Sequence, residues 1–167
     1  MMEIRYALRD ELREAAALVI GSWRWAYKDI MDAEYLADLS LEKRHERFLK
    51  GYDEGARSLL LFGNGEMLGF CVFGKSQTPG YPEDGEIGAI YLREDAVGRG
   101  YGHALFTYAE EDLRAQGYRN LVLDVFSQNE RAIAFYSAHG YIKVGDRKHS
   151  WGGREYPLDI MRKAAYV

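Results

Sequence analysis

The sequence has little of several features that define whole classes of protein. It contains one cysteine, Cys71, so an internal disulfide cannot form. It has no excess of basic residues, because 22 Lys and Arg are set against 26 Asp and Glu, for a formal net charge of −4. A general nucleic-acid binder or a polybasic membrane anchor needs the opposite balance. We therefore expect neither a nucleic-acid nor a membrane partner.

Long apolar runs are also missing. The longest runs, such as residues 15–20, are much too short to cross a bilayer. The first five residues lack the charged-then-apolar layout of a signal peptide. Cys71 lies in the apolar run of residues 70–73, which predicts a small buried side chain rather than a nucleophile. These features predict a reducing, cytoplasmic location.

What is present is enough for one packed domain. The chain has 167 residues, of which 47% are hydrophobic and 14% are aromatic, so it can bury a sizeable core. It shows no internal repeat and no low-complexity tract. Its most Gly/Pro-rich stretch, residues 78–82, is too short to link domains. We predict a single domain over residues 1–167.

Hydrophobic periodicity and turn residues predict an ordered series of helices and strands. Ser40 is predicted to cap one helix, and Ser127 with Glu130 to form a capping box for another. The order predicts a mixed α/β sheet with helices on its faces, and not the strict alternation of a dinucleotide-binding fold. The predicted elements are a strand at 3–8, helical regions at 10–22 and 32–52, strands at 58–62, 67–75 and 85–93, a helix ending at 116, a strand at 119–125, a helix at 128–138, and strands at 141–148 and 154–162.

A glycine-rich segment, residues 97–103, stands between a predicted strand and a predicted helix. Glycines at alternate positions remove the side chains that would keep an anion from the backbone, and the following helix start attracts negative charge. Taken alone, a flexible turn explains the segment equally well. A magnesium-nucleotide P-loop would need Lys and Ser/Thr where His103 and Ala104 stand, so a nucleotide hydrolase is disfavoured.

A second segment, residues 129–141, follows the next strand. Taken alone, Tyr136 is more typical of a core aromatic residue, and Asn129 of a residue that starts a helix. The two segments together carry more information, because they occur in order and at a characteristic separation.

On these two segments the sequence resembles the GNAT superfamily of N-acetyltransferases, of the bacterial type, over nearly the whole chain. The acetyl-CoA loop of that family reads Arg/Gln-x-x-Gly-x-Gly/Ala, and residues 97–102 follow it except at Val97. The resemblance implies a mixed, mostly antiparallel sheet of six to seven strands flanked by about four helices. The later family pattern is matched by Asn129, Ala132, Phe135, Tyr136, Gly140 and Tyr141.

The resemblance also implies roles for individual residues in binding acetyl-CoA as the co-substrate. The backbone of Tyr91 and Leu92 is expected to hydrogen-bond the pantetheine arm, and Asn129 to reach it from the other side. Tyr136 is expected near the thioester sulfur as the general acid. The amides expected to hold the diphosphate are those of Val97, Gly98, Arg99, Gly100, Tyr101, Gly102 and His103.

The reaction also needs a base, because most amines are protonated at neutral pH. Glu86 is the candidate, since the resemblance places a glutamate at this offset before the loop. The alternative is a solvent-exposed glutamate in the acidic stretch of residues 83–86. None of the four histidines pairs with Cys, Asp or Glu at a metal-ligand spacing, so no metal site is predicted.

The acceptor side is less specific in sequence. In the family the first helices form one wall of the acceptor site, which implicates Trp23 and Tyr27. Packing against the sheet is the alternative for either ring. We predict an enzyme that transfers acetyl from acetyl-CoA to a primary amine of a small molecule. A protein N-terminus or lysine is the alternative acceptor, and a non-catalytic acetyl-CoA-binding module is the alternative of another class. Dimers are frequent in the family, so a homodimer is compatible with the resemblance.

Overall fold

The computed structural model describes residues 1–165, which form seven strands and five α-helices. The strands belong to one mixed, mostly antiparallel sheet in the order β1-β2-β3-β4-β5-β7-β6. The strands are β1 Met2–Tyr6, β2 Arg57–Gly63, β3 Glu66–Lys75, β4 Gly85–Leu92, β5 Leu121–Phe126, β6 Ile142–Trp151 and β7 Arg154–Lys163. The helices are α1 Leu12–Ala26, α2 Ala33–Ala37, α3 Leu41–Asp53, α4 Tyr101–Ala115 and α5 Glu130–Ala138.

The predicted fold class and order of elements are confirmed, with one local correction. The predicted cap at Ser40 is also confirmed: Ser40 accepts a hydrogen bond from the Lys43 amide at 3.2 Å and begins α3, so the helical region predicted at 32–52 contains the two helices α2 and α3. The predicted capping box of Ser127 is wrong. Ser127 Oγ donates to Asp159 at 2.6 Å, and Asn129 caps α5 instead. None of the helices within residues 1–165 combines the length and apolar character that a membrane-spanning helix needs.

Strand β4 contains one extra residue relative to its neighbour β3. The Ser76 amide donates to the Asp84 carbonyl at 3.0 Å, and the Arg93 amide donates to the Leu68 carbonyl at 2.8 Å. The path along β4 between these two bonds is one residue longer than the path along β3, so β4 carries a β-bulge. Such bulges redirect the backbone and occur often beside functional sites.

Strand β4 has only a short parallel pairing with β5. Within the described residues the register joins Gly85 to Leu121 and Glu86 to Val122. Beyond Glu86, β4 continues toward the glycine segment and, in the described part of the chain, is not paired with β5.

Contacts between Cα atoms divide the chain into two compact units, and the first comprises residues 1–73 and 89–111. Its antiparallel strands β1, β2 and β3 bury a continuous apolar set against α1 and α4. The ring of Phe48 on α3 stacks on Phe70 with 5.0 Å between centroids. The core residues with the least exposure include Leu12, Ala15, Ala16, Leu59, Leu60, Leu61, Leu105 and Phe106.

The second unit comprises residues 74–88 and those from 112 onward. In its antiparallel ladder of β5, β7 and β6, the buried residues lie on β5 and β7, while β6 has no fully buried residue. Tyr141, just before β6, is among the largest fully buried side chains. Cys71, in the first unit, is also fully buried, and burial raises the pKa of its thiol. The prediction of a small buried side chain at that position is confirmed.

Candidate active site

The glycine segment of residues 97–103 forms an open loop that leads into α4. Gly98 and Gly100 have φ angles of 81° and 83°, in the region that favours glycine over any L-residue. Gly98, Arg99 and Gly100 are exposed, and no heavy atom lies within 4 Å of where a Cβ would stand on either glycine. These glycines are therefore required by the backbone conformation, and they leave the peptide groups open to an anion.

Helix α4 begins at Tyr101, within the glycine segment, so Gly102 and His103 lie in its first turn. The first amides of a helix have no partner within the helix and carry a partial positive charge. The Arg99 guanidinium lies over the Tyr101 ring, 5.0 Å from its centroid. Val97, where the family pattern has a polar residue, is extended, and its backbone N–H donates to the Glu94 carbonyl at 3.4 Å.

The end of β4 presents its backbone beside α1. The Arg93 amide is directed at β3, so alternation along the strand directs the Leu92 peptide groups away from β3. The Leu92 carbonyl accepts a hydrogen bond of 2.6 Å from the buried Ser22 hydroxyl of α1. Ser22 thus ties the helix to the strand at the residue before the loop begins.

An aromatic cluster of Trp23, Tyr27 and Tyr91 joins α1 to β4. The Trp23 and Tyr27 rings meet edge to face at 5.3 Å, and Tyr27 Oη donates to Tyr91 Oη at 3.4 Å. Trp23 is 6% exposed, so it is a core residue as well as a member of this cluster. Burial raises the pKa of the Tyr91 hydroxyl, with hydrogen bonds from Tyr27 and Trp23 opposing the shift. The structure thus brings both predicted acceptor-wall residues into contact with predicted cofactor-binding residue Tyr91.

Glu86 lies near the start of β4, in the second unit. It is half-buried, and its Oε1 accepts hydrogen bonds from the Thr78 hydroxyl and from the Gln77 amide, the latter at 3.2 Å. The fully solvated glutamate considered as the alternative does not describe this side chain. These two hydrogen bonds hold the carboxylate in place.

The beginning of β4 is anchored two residues before Glu86. Asp84 is 3% exposed and accepts two hydrogen bonds from the Arg162 guanidinium, at 2.7 and 3.0 Å. A bidentate pair of this kind specifies orientation as well as charge. It holds the strand on which Glu86 stands.

Asp124 on β5 is a candidate that the sequence analysis did not identify. Its Oδ2 lies 3.0 Å from the Arg147 guanidinium, while its buried Oδ1 has no hydrogen-bond partner within the described residues. Burial raises the pKa of this carboxyl, Arg147 lowers it, and the charge of Glu86 raises it further. The alternating strand pattern around Asp124 predicts a surface or core position equally well, so no sequence signal marked it.

Helix α5 carries the two remaining predicted site residues. Asn129 Oδ1 accepts from the Ala132 amide at 3.2 Å, so the side chain caps the helix. Any contact that Asn129 makes with a cofactor would therefore come from its Nδ2 donor. Tyr136 is half-buried, 5.6 Å from the Phe135 ring and 6.3 Å from the Tyr141 ring between centroids.

The predicted residues thus fall into two groups, one in each compact unit. The first holds the aromatic cluster, the end of β4 and the glycine segment, while the second holds Glu86, Asn129 and Tyr136. Within residues 1–165 no group of three or more His, Cys, Asp or Glu side chains is arranged to hold a metal ion.

The chain is similar to known proteins in both sequence and structure. Residues 18–141 match the model of the Acetyltransferase (GNAT) family. The chain is 32% identical over 152 residues to the uncharacterized N-acetyltransferase YuaI of Bacillus subtilis (strain 168), covering 87% of this chain and 83% of that protein. It is 30% identical over 138 residues to the peptidyl-lysine N-acetyltransferase YiaC of Escherichia coli (strain K12), covering 83% of this chain and 82% of that protein.

A further relative is the spermidine N(1)-acetyltransferase of Thermoplasma acidophilum. It is 25% identical over 146 residues, which cover 87% of this chain and 90% of that protein. Among solved structures, the PaiA N-acetyltransferase of T. acidophilum in complex with coenzyme A superposes with a TM-score of 0.77 at 22% identity. That superposition covers 98% of this chain and 99% of the other, which shows that the two share a fold.

Proposed function

Since the chain belongs to the GNAT acetyltransferase family and is an acetyl-CoA-dependent N-acetyltransferase, we propose that its acceptor is the primary amine of a small molecule. The observation that carries the cofactor side of this proposal is the open glycine segment at the start of α4. The acceptor side is supported by the compact aromatic cluster of Trp23, Tyr27 and Tyr91.

The glycine segment fits the diphosphate of coenzyme A. Two left-handed glycines expose the backbone, and the first-turn amides of α4 add a positive helix end, so the anion needs no charged side chain. For this reason Val97 in place of Arg or Gln is compatible with binding. We assign the diphosphate to the amides of residues 97–103.

The exposed part of β4 suits the pantetheine arm. The Leu92 peptide groups are directed away from β3, where an extended amide-containing chain can bind like an added strand. We assign this role to the backbone of Tyr91 and Leu92, and the pantetheine contact expected of Asn129 stays a prediction. The Leu92 N–H is also a candidate donor to negative charge that develops during transfer.

Acetyl-CoA supplies the activated acetyl group as a thioester. We assign Glu86 Oε1 or Oε2 to remove a proton from the acceptor ammonium, directly or through water, so that the amine lone pair is available. The Tyr136 hydroxyl would give a proton to the departing group. Placing acceptor and donor together accounts for a large further part of the acceleration.

The named relatives act on two kinds of acceptor. One is a spermidine acetyltransferase, whose acceptor is a small polyamine, and another is a peptidyl-lysine acetyltransferase. We favour the small amine because the candidate acceptor wall is a tight cluster of rings and hydroxyls. An accessible lysine or peptide N-terminus is the alternative.

An acceptor panel tests this proposal. The protein is incubated with acetyl-CoA and with polyamines, aminoglycosides, amino acids, a lysine peptide and a peptide with a free N-terminus. Release of the coenzyme A thiol gives the rate, and mass spectrometry identifies the acetylated product. Small amines should be acetylated with a higher kcat/KM than either peptide.

Reactions without protein and without acceptor correct for hydrolysis of the thioester. Faster acetylation of a peptide than of every small amine would overturn the small-molecule assignment. Tight acetyl-CoA binding without any product would contradict the assigned catalytic roles and favour a binding module.

A further inference from the structure

Arg44 on α3 is a charged residue that the catalytic assignment does not use. Its guanidinium carbon lies 4.6 Å from the centroid of the Trp23 ring, on one face of that ring. The side chain is half-buried, and the tyrosines near it are Tyr27, Tyr35 and Tyr91. Arg44 thus lies against the aromatic cluster that joins α1 to β4.

Two other arginines of the same unit have protein acceptors. Arg13 forms a double hydrogen bond with Glu42, and Arg24 donates to the carbonyls of Leu36 and Ala37. Arg44 has neither a carboxylate nor a carbonyl as a hydrogen-bond partner anywhere in residues 1–165. The other charged side chain acting on it is Arg47, which is also a cation.

This environment is unfavourable for a cation that has no counter-ion. Burial lowers the pKa of the Arg44 guanidinium, yet a guanidinium stays charged in proteins. Its five N–H groups form a planar fork that matches a carboxylate or a phosphate. A partly desolvated guanidinium with unused donors and a second arginine nearby is therefore suited to an anionic ligand.

We propose that Arg44 binds an anionic group of the acceptor, so that the preferred acceptors are amines that also carry a carboxylate or a similar oxyanion. This inference rests on the proposed function, because it extends the same acceptor site. Tyr91 directly precedes Leu92, to which the pantetheine is assigned, so a tyrosine near the guanidinium is adjacent in β4 to the assigned pantetheine position. The hydroxyl pair of Tyr27 and Tyr91 offers polar contacts between the two.

The arrangement also revises what Trp23 can do. A cation already covers one face of the Trp23 ring, which makes it less suited to stacking on a cationic amine. The ring instead supports the guanidinium and holds its plane in position.

The test compares acceptors that differ only in charge. Each ω-amino acid probe, such as 4-aminobutanoate, is paired with its carboxamide, and the panel is extended to free amino acids and their amides. The wild-type protein should acetylate the acids with a kcat/KM about 10- to 100-fold above that of the amides, as expected for a charge-assisted contact. Arg44→Gln should lose most of this preference, while the rates with the amides and the KM for acetyl-CoA stay unchanged.

Two variants control for effects on folding and on charge. Arg44→Lys keeps the charge without the fork and should keep part of the preference. Lys50→Gln removes a positive charge from an exposed position on the same helix and should behave like wild type. Melting temperatures establish that each variant is folded.

Binding provides a second readout that does not need turnover. Calorimetric titration of the same probe pairs, with coenzyme A present, should show tighter binding of the acids in wild type and not in Arg44→Gln. Equal affinity and equal rates for acids and amides in wild type would overturn the inference, as would an Arg44→Gln effect on acetyl-CoA alone. Acetylation of uncharged amines without any acid preference would leave the proposed function standing, whereas absence of every acetylated product would count against that function.

Discussion

The glycine segment and the carboxylates of β4 and β5 differ in which atoms of the residue face their surroundings. The two left-handed glycines of the segment leave the backbone exposed, and the role proposed for it uses peptide groups. Glu86 and Asp124 present side-chain carboxyls, whose properties depend on what surrounds each one. Glu86 accepts hydrogen bonds from Thr78 and Gln77, while Asp124 has a buried oxygen with no such partner in the described chain.

This difference separates two kinds of functional site. A site made of backbone needs a conformation, and that conformation constrains which residues are allowed. A site made of side chains needs a particular acidity, which burial and neighbouring charges set. Substitutions should therefore change cofactor affinity in the first region and proton transfer in the second.

The largest expected effect is on the side-chain chemistry. Tyr136→Phe removes the hydroxyl assigned as the general acid and keeps the ring that packs near Phe135 and Tyr141. We expect kcat to fall by about 100-fold or more, because positioned acids contribute on the order of 10² to 10⁴. Steady-state kinetics with the best acceptor of the panel gives kcat, and calorimetry gives the affinity for acetyl-CoA.

The affinity of Tyr136→Phe for acetyl-CoA should stay unchanged. Tyr108→Phe, at an exposed tyrosine of α4, is the matched control and should keep full activity. If Tyr136→Phe turns over as fast as wild type, the general-acid assignment is wrong.

A smaller effect is expected from the backbone of the loop. Gly100→Ala places a Cβ on a residue with a φ of 83°, in a space that is open, so the cost comes from the backbone conformation alone. Left-handed backbone costs an L-residue roughly 1–2 kcal/mol, which corresponds to about a tenfold loss of acetyl-CoA affinity if the loop relaxes. The dissociation constant from calorimetry checks this, with kcat at saturation expected to change little.

Gly21→Ala offers a matched comparison, because this helical glycine also has open space around it but no positive φ. It should leave the affinity unchanged and should stabilise α1 slightly. An unchanged dissociation constant in Gly100→Ala would show that the diphosphate does not depend on this backbone conformation.

The smallest expected effect concerns the raised pKa of Asp124. A carboxyl whose pKa is higher in the folded than in the unfolded chain binds its proton more tightly when folded. Its contribution to stability is therefore present at low pH and lost as the pH rises through the folded pKa. The melting temperature of wild type, compared with that of Asp124→Asn at the same pH, should therefore fall by about 2 °C as the pH rises from roughly 4 to neutrality.

Glu11 provides a comparison of opposite sign. The Arg5 guanidinium, at 2.6 and 2.8 Å, holds the pKa of the Glu11 carboxyl below its usual range, against an opposing effect of burial. Its stabilisation is present above the unfolded pKa of about 4.3 and is lost as the pH falls. Melting curves of Glu11→Gln and Asp124→Asn against pH should therefore diverge from wild type in opposite directions, and parallel curves would contradict the environment described for Asp124.

Much of the fold could be predicted from local sequence. The strand and helix order followed from periodicity. Asn64 and Gly65, a dipeptide typical of hairpin turns, join β2 to β3 with φ angles of 52° and 80°. The capping box at Ser127 failed because a distant partner, Asp159, binds its hydroxyl. A capping pattern is read from neighbouring residues and does not show that a distant carboxylate will bind the same hydroxyl.

The sequence by itself determined the order of the elements, the family resemblance and the glycine segment, because each depends on residues that are close together in the chain. Only the tertiary structure decided which carboxyl is desolvated, where β4 bulges and which arginine lies on Trp23. Asp124 meets Arg147, Ser22 meets Leu92 and Arg44 meets Trp23 across long stretches of chain. The pKa of a carboxyl and the neutralisation of a buried charge depend on such distant neighbours, so the tertiary structure determines them and the local sequence does not.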